Sequence, residues 1–492
     1  MSAPRRIVQE PVIGLEVHVQ LATRTKIFCA CSTDYGAAPN TQVCPVCLGH
    51  PGVLPVLNRE AVAQALCFGL AVGAQIPARS VFARKNYFYP DLPKGYQISQ
   101  YDRPIVVGGE IPFRVKGQPR RVGLIRAHLE EDAGKSFHPE DGREAVTLVD
   151  LNRAGVPLLE VVSRPDLRSP EEAQACFERI HQLVTYLGIC DGNLEEGSLR
   201  CDANVSVRPE GTSGLLPKTE IKNLNSFRNV HRALEYEIHR QVRAIEDGIP
   251  LVQATRLWDA GEGRTRVMRE KEEAHDYRYF PDPDLLPLDL PAGWVSEVCT
   301  TLPELPWARE ERLAAEYGIG WEEATVLASS RDLADYFERA ARSAGEGKST
   351  ASWVLTEVLR LRKESRDGWI GVRVEPEPLG TLVRMIREGT ISGKIGKAVF
   401  AEMVASGEDP RAIVLARGWS PISDPERLRV VVQEVLESHP GPVQDYLAGK
   451  EAALQFLMGQ VMRRTDGRAS PPAARDAVRE ALERRRGEPP SW

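Results

Sequence analysis

The 492-residue chain contains no uninterrupted apolar run of about 18 residues, the length a membrane-spanning helix requires, so no transmembrane segment is expected. Nor does an apolar leader core follow Met1-Ser2-Ala3-Pro4-Arg5-Arg6, which runs directly into a strand pattern, and a cytoplasmic protein is expected. A basic excess is also missing: 63 Lys and Arg face 69 Asp and Glu, a net charge of -6, which argues against a globally basic nucleic-acid binder while leaving local basic patches open. A phosphate-binding P-loop is absent too. Gly134-Lys135-Ser136 and Gly347-Lys348-Ser349 look like the end of one, but the glycine required earlier in the motif is Leu129 in the first and Arg342 in the second.

What is present is a set of strands with one polar face. In Ile13-Gly14-Leu15-Glu16-Val17-His18-Val19-Gln20-Leu21 the odd positions are apolar, and Glu16, His18 and Gln20 share the other side. Leu199 to Val207 repeats the pattern, with Arg200, Asp202, Asn204 and Ser206 together. Lys218 to Lys222 places Glu220 between two lysines, Leu158 to Val162 sets Glu160 in an otherwise apolar strand, and Ala127 to Ser136 carries the adjacent acids Glu130, Glu131 and Asp132. A carboxylate in an apolar run is costly to bury unless it is paired or bound to a cation, so several of them imply a shared partner. Mg²⁺ carrying nucleotide phosphates suits oxygen donors; structural ion pairs with Arg126, Arg200 and Lys222 are the alternative.

Four of the nine cysteines form Cys29-Ala30-Cys31 and Cys44-Pro45-Val46-Cys47, two close thiol pairs joined by a loop rich in Gly, Pro and Asn. That spacing points to a structural tetrahedral Zn²⁺ site, with reduced thiols or a redox pair as the alternative. Cys67, Cys176, Cys190, Cys201 and Cys299 read as small core residues. His231, Glu235 and His239 share a helix face, but read better as part of an exposed charged stripe with Arg228, Arg232, Glu237 and Arg240.

The length predicts about three domains. Residues 1–294 read as an α+β, mainly antiparallel domain, because strand runs follow one another without a strand–helix–strand rhythm; its two evident helices are Pro170 to Leu187, capped by Ser169, and Phe227 to Asp247, capped by Ser226. After the Pro-rich joint Leu302 to Pro306 the chain turns helical, with a helical domain expected over 295–409 and a helical tail over 410–492. Between Gly459 and Arg486 eight arginines face four acids, a local charge of +4 that suits contact with a phosphate backbone, or else a solvated helix face.

Gly14 to Val19, Arg84 to Asp91, Tyr96 to Gln100, His128 to Lys135, Asp150 to Arg153, Gly197 to Asn204, Glu220 to Ser226 and Asp276 to Pro281 together resemble the B subunit of the tRNA-dependent amidotransferases. The tail segments Gly459 to Met462 and Thr465 to Gly467 resemble the YqeY-type end of that family. The resemblance implies a first domain like the glutamine synthetase and guanido kinase fold, whose polar sheet face holds ATP and a divalent metal. It implies phosphorylation of the side-chain carboxylate of Glu-tRNA(Gln) or Asp-tRNA(Asn) by ATP, followed by displacement with ammonia. It also implies partners: an amidase-type glutaminase A subunit, a small C subunit, and tRNA. No Gly/Ser-rich Ser-Ser-Lys segment of an amidase is present in this chain.

On this reading Glu16, His18, Glu130, Glu131 and Glu160 are the expected Mg²⁺ ligands, with Asp202 and Glu220 next in line. Lys85, Arg200 and Lys222 are expected at phosphate oxygens or the substrate carboxylate, and Asn204 and Ser206 are expected to orient the nucleotide, the metal water or the substrate. Cys29, Cys31, Cys44 and Cys47 are the expected Zn²⁺ ligands.

Overall fold

A computed structural model of the chain describes residues 9–137, 146–214, 216–270, 277–364, 372–419, 425–465, 469 and 471–487. The chain divides into two compact units, Met1–Trp307 and Ala308–Trp492. The first is mixed α+β and built on a nine-stranded sheet. Strand Gln9–Gln20 lies at its centre, antiparallel to Leu199–Pro209 on one side and to Pro157–Ser163 on the other. Beyond Pro157–Ser163 comes Gln118–Glu131, also antiparallel; beyond Leu199–Pro209 come Thr219–Lys222, Ala254–Asp259 and Arg264–Glu270.

Thr219–Lys222 and Ala254–Asp259 run parallel, joined through the helix Phe227–Glu246, so the sheet does contain one strand–helix–strand crossover. Every other pairing in it among the described residues is antiparallel. This unit is not legible in the sequence because both strands are short, and only the long helix between them makes a parallel return possible.

The apolar side of the sheet is covered by helices. Ile13, Leu15, Val17 and Val19 are at most 1% exposed and pack with Phe177, Ile180, Val230 and Leu234 from helices Pro170–Tyr186 and Phe227–Glu246. The hydroxyls of Ser169 and Ser226 accept the N–H groups of Glu172 and Asn229, closing the first turns as expected. A third helix, Arg59–Ala71, joins the same core. It left little periodic signal in the sequence because Ala61, Val62, Ala65, Leu66, Phe68 and Ala71 are buried around most of its circumference. Trp294, Val295, Leu302 and Leu305 also pack against this core, so the first unit extends past residue 294 to Trp307.

The second unit is helical among its described residues and contains two apolar cores. One gathers side chains from Leu313 to Val414, the other from Leu428 to Leu482. The helix Pro410–Ala416 belongs to the first of these through Ile413 and Val414, so the expected division at residue 410 falls within a packed cluster. No described helix is long and apolar enough to cross a membrane.

Candidate functional site

Strand register decides which polar side chains meet. On the face of the sheet opposite the helices, His18 stands opposite Glu160 on one side and Arg200 on the other, and Glu160 in turn stands opposite His128. Side chains of one row are neighbours in an antiparallel sheet, which brings together residues far apart in sequence. His18 Nε2 lies 3.4 Å from Glu160 Oε2 and 3.9 Å from Glu130 Oε1. His128 Nε2 lies 3.6 Å from Glu160 Oε2 and 3.7 Å from Glu130 Oε2. One ligand atom from each of His18, Glu130 and Glu160 falls within 4.8 Å of the others, so three of the five expected Mg²⁺ ligands converge.

Lys85 leans over this group from the strand Ala83–Asn86, its ammonium 5.1 Å from the ring centre of Tyr277 and 5.8 Å from that of Tyr87. Burial opposes its charge, but Glu130, with Tyr279 and Glu160, holds its pKa above the ordinary lysine value. Burial likewise opposes charge on His18, and the hydrogen bond and charge of Glu160, with the charge of Glu130, outweigh it and raise the imidazole pKa. Burial would raise Glu160, yet His128, His18 and Lys85 hold it well below the usual carboxylate range. Glu160 therefore stands as an ionised carboxylate among cationic and metal-seeking neighbours.

A second layer holds the flanking cations. Asp132 Oδ2 accepts Arg200 Nη2 at 2.7 Å and Gln20 Nε2 at 3.0 Å, with Arg153 Nε 3.4 Å away. Burial would raise the Asp132 carboxyl, but Arg200 and Arg153 keep it low. Lys222 Nζ bridges Asp202 at 2.6 Å and Glu220 at 3.1 Å, so these two acids neutralise a lysine within the protein. Asn204 donates to Glu16 Oε1 at 2.8 Å, and burial, then the charge of Glu160, push the Glu16 carboxyl upward. Glu16 thus lies one row from the cluster, beside Asp202, and Ser206 lies farther along, buried, opposite Val12.

Glu131 is not in this group. Alternation turns it to the other side of its strand, where it pairs with the Lys94 ammonium and accepts the Ile98 backbone N–H at 2.8 Å. Adjacency in a strand separates the two carboxylates, because consecutive strand residues point to opposite faces. Glu237, placed on an exposed stripe by the helical pattern, is fully buried, accepting from Arg240, from Gln241 Nε2 at 3.0 Å and from Thr265 Oγ1 at 3.1 Å. His128 and Arg153 are not singled out by the sequence, and Asp132 stands there only as one of three adjacent acids. Period-two alternation would have grouped His128 with Glu130, whereas the loop residue Arg153 gave no local signal.

The Sγ atoms of Cys29, Cys31, Cys44 and Cys47 lie within 4.8 Å of one another. Lys26, fully buried, sends its ammonium to Gln42 O at 2.8 Å and to Cys47 Sγ at 3.6 Å. The Cys44 N–H points at Cys47 Sγ from 3.1 Å. The Cys29 thiol, then the Cys44 N–H and Lys26, lower the Cys47 pKa, and burial opposes them. Four convergent sulfurs beside a buried cation fit a tetrahedral thiolate-bound Zn²⁺.

In the tail, Arg463, Arg464, Arg475, Arg479, Arg484 and Arg486 are exposed, and Arg464 and Arg484 contact Glu434 and Glu480. Arg468, together with Asp466 and Gly467, lies outside the described residues, as does Asp276 of the Asp276 to Pro281 segment.

Residues 11–296 match the family described as the GatB/GatE catalytic domain, and residues 335–482 match the GatB domain. Over 474 residues, 96% of this chain and 99% of the relative, the sequence is 52% identical to a Geobacter sulfurreducens protein named as the B subunit of aspartyl/glutamyl-tRNA(Asn/Gln) amidotransferase. Proteins of the same name from Carboxydothermus hydrogenoformans and Desulfotalea psychrophila are 51% and 49% identical, each over 96% of this chain and at least 98% of the relative. Matches of this extent, covering both the sheet with its carboxylate–imidazole cluster and the helical unit, show that the chain belongs to the B-subunit family of the aspartyl/glutamyl-tRNA(Asn/Gln) amidotransferases.

Proposed function

We propose that the polar sheet face carries out ATP-dependent amidation of the side-chain carboxylate of Glu-tRNA(Gln), Asp-tRNA(Asn) or both. The observation that carries this reading is the convergence of His18, Glu130 and Glu160 beneath the Lys85 ammonium, in a chain of this family. A free carboxylate is a poor acyl donor because oxide would have to leave. When one of its oxygens attacks the γ-phosphorus of ATP and ADP departs, the resulting acyl phosphate has phosphate as leaving group. Ammonia attacks the carbonyl carbon, loses a proton, and expels inorganic phosphate to leave the amide.

The donor set of two carboxylates and one imidazole fits Mg²⁺, held by Glu130, Glu160 and His18 with Glu16 close by. When bound, Mg²⁺ supplies charge neutralisation between two anionic reactants. Lys85 remains protonated and meets phosphoryl oxygens as a point charge. Arg200, oriented by Asp132, presents its remaining N–H groups to the substrate carboxylate or a phosphate, and Lys222 does the same from the edge of the face. Asn204 and Ser206 orient the nucleotide. The four-cysteine cluster holds Zn²⁺ in a structural role.

On this reading the sheet is a phosphorylating cradle of the glutamine synthetase and guanido kinase kind. Ammonia comes from a glutaminase A subunit through a protected path, with a small C subunit joining A to this chain, because ammonia free in water is mostly protonated. The basic helical tail contacts tRNA, and the reaction belongs to cytoplasmic translation.

The test is γ-phosphate release by the full-length chain assembled with its A and C subunits, supplied with Glu-tRNA(Gln), Asp-tRNA(Asn), uncharged tRNA or free glutamate. Release only with a charged tRNA is expected. Equal release with free glutamate would make the protein a small-molecule ligase, and no release with either charged tRNA would refute the phosphorylation step.

A further inference from the structure

We infer that Asn40, Asn152 and Arg153 are positioning residues: they join the four-cysteine knuckle to Asp132 and so fix where the Arg200 guanidinium stands on the polar face. This rests on the role given to Arg200 above and adds what sets its place.

Segment 149–155 runs between the knuckle and Asp132, and its polar groups on the knuckle side are taken by loop 38–42. Asn40 Nδ2 donates to Val149 O at 3.0 Å, and Leu151 N donates to Asn40 Oδ1 at 2.8 Å. Asn152 grips in return: its Oδ1 accepts Gln42 N at 2.8 Å, and its Nδ2 donates to Ala38 O at 2.7 Å. Asn40 holds a φ of +60°, a left-handed conformation that few residues other than glycine adopt and that asparagine tolerates better than most. The Lys26 ammonium closes the joint, reaching Leu151 O at 3.4 Å as well as Gln42 O at 2.8 Å and Cys47 Sγ at 3.6 Å. A buried ammonium is costly unless its protons find acceptors, so these three hold knuckle, loop and segment at one spacing.

The other side of the same segment is bound to Asp132. Asp132 N donates to Val156 O at 2.8 Å, and Gly155 N donates to Asp132 O at 2.9 Å. Arg153 donates from Nε to Ala133 O at 3.0 Å and from Nη2 to Gly134 O at 2.7 Å, which fixes the turn that follows the acid. Asp132 Oδ2 then accepts Arg200 Nη2, while Arg200 Nε is buried with no hydrogen-bond partner among the described residues. A long arginine side chain is held in place by its one anchor, and that anchor by a loop whose far side is the knuckle. Misplacing a substrate-binding group by about 1 Å can cost on the order of 10²-fold in rate, so the joint has a use beyond stability.

The experiment uses the full-length chain assembled with its A and C subunits, as wild type, Asn40→Gly, Asn152→Ala, and each of these combined with Arg200→Lys. Glycine keeps the left-handed backbone at position 40 and removes only the side-chain amide. Each single variant is expected to keep the wild-type zinc content and to lose hydrogen-exchange protection across 132–134 and 149–156, with strand Gln9–Gln20 unchanged. Each is also expected to lower kcat/KM for charged-tRNA-dependent γ-phosphate release about tenfold. In the Arg200→Lys background the same changes are expected to cost less than about twofold more, because their effect runs through Arg200. Asn40→Asp, which keeps the acceptor for Leu151 N, is expected to recover part of the loss.

Losses that multiply with Arg200→Lys would show that the joint serves stability alone and would overturn the proposal. Wild-type kcat/KM in both single variants would overturn it as well, as would zinc lost in step with activity. If the wild-type assembly released no γ-phosphate with either charged tRNA, the phosphorylation reading would fail, whereas the exchange pattern would still decide whether the joint holds Asp132.

Discussion

Two groups among the described residues have the donor atoms of a metal site, and they are assembled in opposite ways. Cys29, Cys31, Cys44 and Cys47 come from one short stretch, and the loop between the pairs needs only to fold back on itself. His18, Glu130 and Glu160 come from three strands and meet only because the pairing Gln118–Glu131 / Pro157–Ser163 / Gln9–Gln20 has one register. The first group is a local device whose loss is felt as stability. The second depends on the whole sheet, whose core stabilises it, so its side chains are free to be selected for chemistry. Breaking each group should therefore have a different signature.

The largest effect is expected at the sheet cluster. Glu160→Gln should lower charged-tRNA-dependent γ-phosphate release by on the order of 10²-fold or more, with little change in melting temperature, because an anionic donor is lost from a face that the core does not use. A variant with near wild-type turnover would take Glu160 out of the site, and one that fails to fold would erase the contrast between the two groups.

Next in size is the thiol cluster. Metal analysis should find about one zinc per chain, and Cys44→Ser with Cys47→Ser should abolish it and cost several kcal/mol of stability. Melting and zinc content equal to wild type would show that the four sulfurs are reduced thiols.

Glu237 sharpens the comparison as a buried acid of purely structural kind. Its carboxyl is opposed by burial but held below the ordinary value by the Arg240 hydrogen bond and charge, by Gln241 and by Arg256. A folded-state pKa below the unfolded one contributes stability above the unfolded value, lost as pH falls through the folded value, so the contribution is complete at neutral pH and fades below about pH 4. Glu237→Gln should cost about 1–2 kcal/mol at pH 7, less at pH 3, and leave kcat unchanged. Equal destabilisation at both pH values would show that packing, not the charge, is what matters there.

The smallest effect is expected from the tail. Neutralising Arg463, Arg464 and Arg468 should weaken tRNA binding evenly across tRNA sequences and flatten the log–log salt dependence by roughly 0.7 to 0.9 for each phosphate no longer neutralised. An unchanged dissociation constant and salt slope would reassign the basic end to protein docking or structure.

How much was legible follows from how far each signal travels. The cysteine pairs, the Ser169 and Ser226 caps and the alternation of Gln9–Gln20 are written within a few residues each, and the structure has all of them. Alternation even contained the answer on Glu131, since a strand that points Glu130 to one face must point Glu131 to the other. The buried helix Arg59–Ala71 was not legible, because a helix apolar on most sides has no period to read.

Side-chain period and short-range spacing are enough to settle which faces of the strands are polar, where the sulfur cluster lies, and where the strand-rich half gives way to helices. It took the folded sheet to set Glu160 opposite both His18 and His128, to anchor Arg200 on Asp132, and to bury Glu237 under Arg240. The physical reason is register: shifting one strand by a single residue turns every side chain on it to the other face, and nothing local to a strand fixes its alignment with a partner more than a hundred residues away.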